Sequence, residues 1–384
     1  MRKFIKGTQF AVLWLFLIVY LLARESGKDP DHIRLHPDDS TADILAASAS
    51  TRASPTATPS TAWTTGLKRI LAIRLDFPDL IELRTSAEGQ TMMDGVLRQK
   101  YYDSSYGKTD LQSTVTPFVY RMPHNAGYYA TSSNIWTLIK NDATPLAAAN
   151  YDLASYDRIA FSFPNLKDVP GSTVRSMSHA EYGGKYMWLN GGGFGFYTVA
   201  HELGHTYGLR HANRWKVSDG NPVSSKGSSE EYGDKFDLMG NTGDPTLRDF
   251  NPWFKSVLGW MNGHVQTVTA TGTYRVYRFD NAPGASGILA LKIKKDNSRD
   301  YWIAYRGSFA DNTTIRDGAY IVWGHSSITK TSELIDTIPA TDYSDAALPV
   351  GQTLTDSSAR IRVTPVATGG TAPDQYLDVT VQFY

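Results

Sequence analysis

The side chains best suited to chemistry in this sequence are three histidines and one glutamate. They fill an HExxHxxGxxH pattern as His201, Glu202, His205 and His211, with Gly208 before the last histidine. On a helix, His201 and His205 lie one above the other, so both imidazoles can reach one ion. Gly208 tolerates a positive φ, which lets the chain reverse and bring His211 back. Three neutral nitrogens suit Zn²⁺ and leave a fourth tetrahedral position open for water.

Glu202 directly follows the first of these ligands and is predicted to be the general base. A catalytic metal lowers the pKa of its water from about 16 to roughly 7, so a carboxylate can complete the deprotonation at neutral pH. The alternative is that the histidines are ordinary core or surface residues. A bare HExxH often arises by chance, but five fixed positions should coincide on the order of once in a hundred thousand chains of this composition.

A helix over residues 194–207 is predicted to carry these side chains. Its other face is apolar, with the i, i+3, i+4, i+7 and i+11 spacing of a stripe packed on a core. The stripe consists of Phe196, Val199, Ala200, Leu203 and Tyr207. One face of the helix is therefore expected to face the core and the other to bind the metal.

Together with a downstream segment, the histidine motif resembles the metzincin clan of zinc endopeptidases. Residues 231–240 read EYGDKFDLMG, and this run is most similar to the gametolysin family and its bacterial relatives. The similarity extends over residues 67–325, with only these two motifs specific. The resemblance implies a mixed sheet with helices, an active-site helix and a methionine turn. By the same resemblance Met239 lies beneath the metal as a hydrophobic base, with an ordinary core methionine as the alternative.

Some metzincins stabilise the oxyanion with a tyrosine just after the methionine turn. No tyrosine occupies the three positions after Met239. The transition state still needs a donor directed at the developing negative charge. Tyr232 and His179 are the candidates, and a structural role is the alternative for each.

The composition is that of a globular protein with balanced charge. Lys plus Arg and Asp plus Glu number 38 each, so no overall field attracts nucleic acid or an anionic membrane. The expected partner is a protein or peptide substrate, and the oligomeric state stays open. The chain has no cysteine, which excludes disulfides and latency through a thiol bound to the metal.

The N-terminal segment 1–25 has the pattern of an export signal. Basic Arg2, Lys3 and Lys6 precede the apolar run 10–23. This run is shorter than the roughly 20 residues of a comfortable membrane span, which favours a cleaved signal peptide over an uncleaved anchor. Both alternatives place the rest of the chain outside the cytoplasm, either secreted or held at the membrane.

Residues 26–64 have few large apolar side chains and end in a stretch rich in Ser, Thr, Ala and Pro. Such a composition cannot bury enough surface to fold, so the segment is predicted to be a flexible linker, with a short propeptide as the alternative.

Residues 65–262 are predicted to form the catalytic domain, in which strands and helices alternate. Strands are predicted at 67–75, 113–122, 157–163 and 182–189, and helices at 88–102, 133–150 and 253–261. By resemblance, Tyr186, Met187 and Trp188 lie on an edge strand that binds substrate backbone, and an ordinary edge strand is the alternative.

The polar stretch 212–236 contains four carboxylates that suggest a calcium site as a further possibility. They are Asp219, Glu230, Glu231 and Asp234. Because scattered carboxylates are usually just solvated, calcium stays without support at this level.

From about residue 263 the sequence changes to alternating strands separated by turns. Leu377, Val379 and Val381 alternate with polar residues, which is typical of a strand with one buried face. Residues 263–384 are therefore predicted to form an antiparallel β-sandwich.

The sequence as a whole predicts an α+β protein: a metzincin-like zinc peptidase domain followed by the β-sandwich. The predicted function is that of a secreted zinc metalloendopeptidase. Two alternatives remain, a secreted binding or adhesion protein on a peptidase scaffold and a zinc hydrolase of a specialised cell-wall bond. Subsite preference and latency are not encoded in any motif of the chain.

Overall fold

A computed structural model describes residues 61–384 apart from 176–177, 192, 241–247, 281–286, 310 and 326–330. The predicted export segment and all of the predicted linker up to residue 60 lie outside the described residues. Among the helices that are described, none is long and apolar enough to cross a membrane.

The N-terminal half is built on a six-stranded sheet. Its strands are β1 (Gly66–Asp76), β2 (Thr109–Val115), β3 (Tyr120–Arg121), β4 (Arg158–Phe163), β5 (Ser178–Ala180) and β6 (Tyr186–Asn190). The order is β2-β1-β4-β6-β5, and β3 continues alongside β1. All pairs are parallel except β5, which runs antiparallel to β6.

Helices cover both faces of this sheet. They are α2 (Ser86–Met92), continued through a π-helical turn (Met93–Leu97) into α3 (Arg98–Ser104), then α4 (Ala126–Ala130), α5 (Ile135–Ala148) and α6 (Phe196–Thr206). Alternate side chains of β1 point to opposite faces, as the period of a strand requires. Ile70 and Ala72 pack in the cluster that contains α6, whereas Leu71 and Ile73 pack with α5. The alternation therefore divides one strand between two cores.

The C-terminal half is built mainly from β-strands. They are β9 (Val265–Thr267), β10 (Gly272–Tyr277), β11 (Ala290–Lys294), β12 (Arg299–Tyr305), β13 (Ala319–His325), β14 (Ser332–Ile335), β15 (Leu354–Asp356), β16 (Ile361–Gly369) and β17 (Tyr376–Phe383). Two short helices accompany them, α7 (Pro252–Val257) and α8 (Thr313–Asp317). The mixed architecture of sheets and helices predicted from the sequence is thus confirmed.

These strands form two sheets that share one hydrophobic cluster. The four-stranded sheet has the order β10-β17-β16-β15 and is antiparallel throughout. Val363 and Val381 of this sheet pack with Ile303 and Ile321 of the other. The second sheet departs from the prediction of a purely antiparallel arrangement, since β9 pairs with β11 in parallel.

The second sheet also takes in two strands from the segment after His211. These are β7 (Ala212–Lys216) and β8 (Ser228–Glu230), and the sheet order is β8-β7-β14-β13-β12-β11-β9. β7 runs parallel to β14 from the C-terminal half. The predicted division at residues 262 and 263 therefore does not coincide with a division between sheets.

The predicted edge strand requires a correction. Tyr186, Met187 and Trp188 lie in β6, which pairs with β4 on one side and β5 on the other. Both rows of backbone groups in β6 are thus engaged, and the strand has no free edge to offer a substrate. The edge strand on this side of the sheet is β5, Ser178–Ala180, and β2 lies at the opposite edge.

The end of the predicted linker also differs from the structure. Residues Thr61–Thr64 form a short helical turn, α1, immediately before β1. Trp63 is partly buried and Thr64 is 2% exposed, so this part of the chain is packed against the fold.

Candidate metal centre

The histidines are carried by α6, which forms because its apolar stripe packs on the sheet and on α3. Val199, Ala200 and Leu203 are fully buried. The hydroxyl of Tyr101, on α3, donates to the carbonyl of Ala200 at 2.8 Å. This packing fixes the rotation of α6 about its own axis, so the opposite face is the one available for a ligand.

The helix ends in the tight turn that Gly208 was predicted to make. Gly208 has a φ of +95°, and its N–H donates to the carbonyl of His205 at 2.8 Å. The N–H of Leu209 closes the turn on the carbonyl of Gly204 at 3.1 Å. A residue with a Cβ is strained at this φ, so glycine is what allows the chain to return towards the helix.

The turn brings the three predicted ligands together. His201, His205 and His211 each offer a ring nitrogen, and these nitrogens lie within 4.8 Å of one another. The ring centroids are 4.8 to 5.4 Å apart. A search of the described residues for three or more His, Asp or Glu side chains close enough to bind one ion finds this group.

Each of the three rings is oriented by a hydrogen bond through its Nδ1. The acceptors are the Leu238 carbonyl for His201 at 2.9 Å and the Leu209 carbonyl for His205 at 2.8 Å. For His211 the acceptor is a carboxylate oxygen of Glu231 at 2.7 Å. Because a carbonyl oxygen can only accept, Nδ1 carries the proton in the first two rings. The lone pair on Nε2 is thereby left for a metal, as in known histidine metal sites.

Burial keeps these rings neutral. Loss of hydration lowers the pKa of His201 and of His205 well below the usual value, and the neighbouring imidazoles lower both further. The same cause lowers the pKa of His211 to about 3. Neutral imidazole is the form that binds a cation, so the donor set of three neutral nitrogens fits Zn²⁺.

Glu202 lies beside the triad on the same helix and is 6% exposed. Its negative charge contributes to the raised pKa of Tyr197, whose main cause is burial. The Tyr197 ring lies 5.6 Å from that of His201, and its hydroxyl donates to the carbonyl of Gly240. No motif in the sequence points to Tyr197, although its position four residues before His201 places it on the same side of α6 as that histidine.

Met239 packs beneath α6 and is fully buried. A Cβ added to Gly204 would lie 2.4 Å from the Met239 sulfur, so the helix can approach this closely only with glycine at that position. The Met239 carbonyl accepts a hydrogen bond from Ala212, the residue after His211, at 2.8 Å. Its N–H donates to Asp237 at 2.7 Å. The methionine thus packs against α6 at Gly204, next to His205, and is tied to the strand that follows His211.

A comparison with protein families agrees with this geometry. The profile of the family described as gametolysin peptidase M11 matches residues 83–304, which is more than half of the chain. The chain belongs to the gametolysin peptidase M11 family. This membership confirms the predicted relationship and makes the protein a metallopeptidase by family.

Individual known proteins are at most distantly similar to this chain. No curated protein matches the sequence significantly. Wild-type OgpA from Akkermansia muciniphila has 13% identity and a TM-score of 0.32, with 63% of this chain and 71% of that chain covered. Catalytically inactive OgpA in complex with an O-glycopeptide substrate has 12% identity and a TM-score of 0.33, covering 63% and 70%.

A chain from the structure of a chaperone–substrate complex shows 14% identity and a TM-score of 0.30. The match covers 52% of the present chain and only 35% of the length of the chain in that complex.

The two predicted oxyanion candidates both lie close to the triad. The Tyr232 ring packs on His211 with centroids 3.8 Å apart, and the residue adopts a φ of +58°. His179 lies on the outer strand β5, where its ring stacks on Trp136 at 5.1 Å. Its charge also contributes to the lowered pKa of His205. In this member of the gametolysin family, Tyr232 therefore contacts the histidine triad, and His179 is near enough to His205 to affect its pKa.

The four carboxylates considered for calcium have separate partners. Asp219 accepts from the Ser224 hydroxyl at 2.6 Å. Glu230 pairs with Arg214 at 2.6 Å, Glu231 bonds His211, and the buried Asp234 accepts from Tyr320. Within the described residues these four do not gather into one group, so calcium gains no support here.

Glu231 orients His211 through its hydrogen bond to Nδ1, so it is expected to affect metal binding. Replacing it by alanine is expected to weaken zinc binding about 10–100-fold, the usual cost of losing an outer partner of a ligand. Glu231→Gln keeps an acceptor oxygen and should lose less. Zinc affinity is measured by competition with a chromogenic chelator. Glu230→Ala, which removes the neighbouring carboxylate, is the control and should bind zinc normally. Unchanged affinity in Glu231→Ala would exclude the orienting role.

Proposed function

We propose that this gametolysin-family protein is an exported zinc metalloendopeptidase of the metzincin type. The observation that carries the proposal is the convergence of three histidine nitrogens within 4.8 Å, with every Nδ1 engaged elsewhere. Three histidines and an open fourth position are typical of catalytic zinc, whereas structural zinc sites have four protein ligands.

His201, His205 and His211 would hold the ion through Nε2. Bound Zn²⁺ supplies a Lewis acid that activates water and polarises the scissile carbonyl. Glu202, next to the first ligand, accepts the proton of the attacking water. It then donates that proton to the leaving amine as the peptide bond breaks, so one carboxylate serves as base and as acid.

The substrate is proposed to bind along β5 and not along β6. β5 is the edge strand next to β6, and its inner side is already paired with β6. An extended peptide that adds to its outer side gains backbone hydrogen bonds, with side chains directed alternately into the cleft and away from it. His179, exposed on this strand beside the triad, would then contact substrate.

The finer architecture is also part of the proposal. The parallel sheet with an antiparallel outer strand, helix α6 and the buried Met239 support the metzincin type. The shared core of the two C-terminal sheets supports a sandwich for residues 263–384, joined by β7 and β8. Export is inferred from the basic and apolar residues 1–25, whether the segment is cleaved or kept as an anchor.

Removing the metal tests the function. We expect the purified protein to contain about one zinc per chain, as a three-histidine site requires. A chelator should abolish casein cleavage, and added zinc should restore it while added calcium should not. Mapping cut sites in a whole-proteome digest then defines the residues preferred around the scissile bond.

The same experiment separates the alternatives. A zinc-loaded preparation that leaves casein and the proteome uncut favours a hydrolase of a specialised bond, which isolated cell wall would reveal. A preparation without zinc that cleaves nothing is the result expected of a binding protein on a peptidase scaffold, and it would refute the proposed activity.

A further inference from the structure

The short turn α1 is attached to the end of α6. The indole N–H of Trp63 donates to the carbonyl of Thr206 at 2.9 Å. Thr206 is the last residue of the helix and directly follows His205. The last carbonyls of a helix have no regular partner within it, so a donor from elsewhere in the fold can satisfy them. Trp63 supplies that partner one residue away from a metal ligand.

The same indole also covers a buried cation. Arg158, at the start of β4, is fully buried, and its guanidinium carbon lies 3.7 Å from the centroid of the Trp63 ring. Its Nε donates to the Thr206 hydroxyl at 2.9 Å, and one Nη donates to the Trp63 carbonyl at 3.1 Å. A buried charge is costly unless its hydrogen bonds are made. Trp63 therefore stabilises the guanidinium that holds Thr206.

Three further hydrogen bonds hold the turn in place. The Thr64 hydroxyl donates to the Leu258 carbonyl at 2.8 Å. The Trp260 indole donates to the Thr64 carbonyl at 2.8 Å, and the Lys68 ammonium group donates to the Ala62 carbonyl at 2.7 Å. Two of these contacts join the turn to Leu258 and Trp260, in the segment that follows α7. The turn is thus fixed to several elements at once.

We infer that Thr61–Thr64, which we call the N-terminal clamp, positions the metal ligands. Trp63 is the positioning residue: it fixes the end of α6 between His205 and the turn that returns His211. A small displacement there separates the nitrogens that must share one ion. It follows that any processing that leaves an active enzyme cuts before Thr61. The inference rests on the proposed zinc peptidase function.

Variants of Trp63 in the full chain test the clamp, in a Glu202→Gln background that avoids self-cleavage. Zinc affinity is measured by chelator competition, which does not depend on hydrolysis. Trp63→Ala is expected to weaken zinc binding roughly tenfold, the lower end of the range for lost outer partners. Trp63→Phe keeps a ring over Arg158 and loses only the N–H donor, so its loss should be smaller.

A control separates positioning from general loss of stability. Ile139, on α5, is fully buried in the cluster on the other face of the sheet. Ile139→Ala should lower the melting temperature without changing zinc affinity. In otherwise wild-type protein, Trp63→Ala should lose activity at limiting zinc and regain it in excess zinc, with KM for a peptide unchanged.

The possible outcomes are distinct. If the Glu202→Gln protein with Trp63 intact binds no zinc, the proposed function fails. If it binds zinc and Trp63→Ala binds it equally tightly, or loses affinity only as much as Ile139→Ala does, the clamp inference fails. Intact-mass analysis of the active protein gives the second test: an N-terminus at or before Thr61 supports the inference, and an active form that begins after Thr64 overturns it.

Discussion

Replacing Glu202 by alanine or glutamine is expected to abolish peptide hydrolysis while the protein keeps its zinc. Glu202 directly follows His201 in the chain, and it is not one of the three residues whose ring nitrogens converge. A positioned general base contributes about 10²- to 10⁴-fold to rate, and here the same carboxylate also has to protonate the leaving amine. We therefore expect kcat to fall by at least that factor, with KM for a peptide little changed.

The matched comparison is His205→Ala, which removes a proposed ligand from the same helix. This variant should lose both zinc and activity, because two imidazoles do not hold the ion as three do. Metal analysis and a peptide assay on the two purified variants separate the roles of base and ligand. Full activity in Glu202→Ala would overturn the assignment of the base, and retention of tightly bound zinc in His205→Ala would overturn the ligand set.

A chain that stops after residue 262 is expected to yield no folded, zinc-binding enzyme. The strand that begins directly after His211 pairs with β14 along Ala212–Trp215. Without residues 332–335, that strand loses the backbone hydrogen bonds along one of its two edges, and this edge becomes exposed. His211, the proposed third ligand, would then lack a fixed support.

Side-chain contacts strengthen the same coupling. Tyr320, on β13, donates its hydroxyl to the buried Asp234. Arg306 donates to the Phe236 carbonyl at 3.0 Å, just before Met239. Burial raises the pKa of Asp234, so this carboxyl group depends on the partners that the C-terminal half provides. Truncation would leave such groups buried and unsatisfied, which is destabilising.

The truncation is tested by soluble yield, circular dichroism and zinc content of residues 1–262. Tyr320→Phe is the control, since it removes one hydrogen bond without shortening the chain. That variant should fold and bind zinc, with a lower melting temperature. If residues 1–262 instead fold, bind zinc and cleave casein, the catalytic region is independent and the proposed coupling is wrong.

Much of the site follows from local spacing. The i, i+4 separation of His201 and His205 and the glycine at 208 are sufficient to predict one helix face and one reversal, and the structure has both. The apolar stripe with Val199 and Leu203 likewise fixes which side of the helix is buried. These features depend on residues a few positions apart, so the chain itself encodes them. The family relationship, read from the same motifs, is confirmed.

The strands of the C-terminal half were also predictable as strands, because period-two alternation is local. Their partners were not. Nothing near Ala212 in the sequence indicates that it pairs with Ser332, and nothing in the pattern of Tyr186 and Trp188 distinguishes a strand with two neighbours from one with a free edge. A strand shows which of its faces is buried, but its hydrogen-bonding edges carry no side-chain signal.

The sequence by itself determined the family and was sufficient to predict the metal ligands and the base, because these depend on residue type and short spacing. The tertiary structure alone decided the rest: Glu231 as the partner of His211, β5 as the edge strand beside β6, and Trp63 as a partner of α6. The contacts of Glu231 and Trp63 join residues 20 and 143 positions apart in the chain. Such contacts arise only when the packing of the whole fold brings them within hydrogen-bond distance.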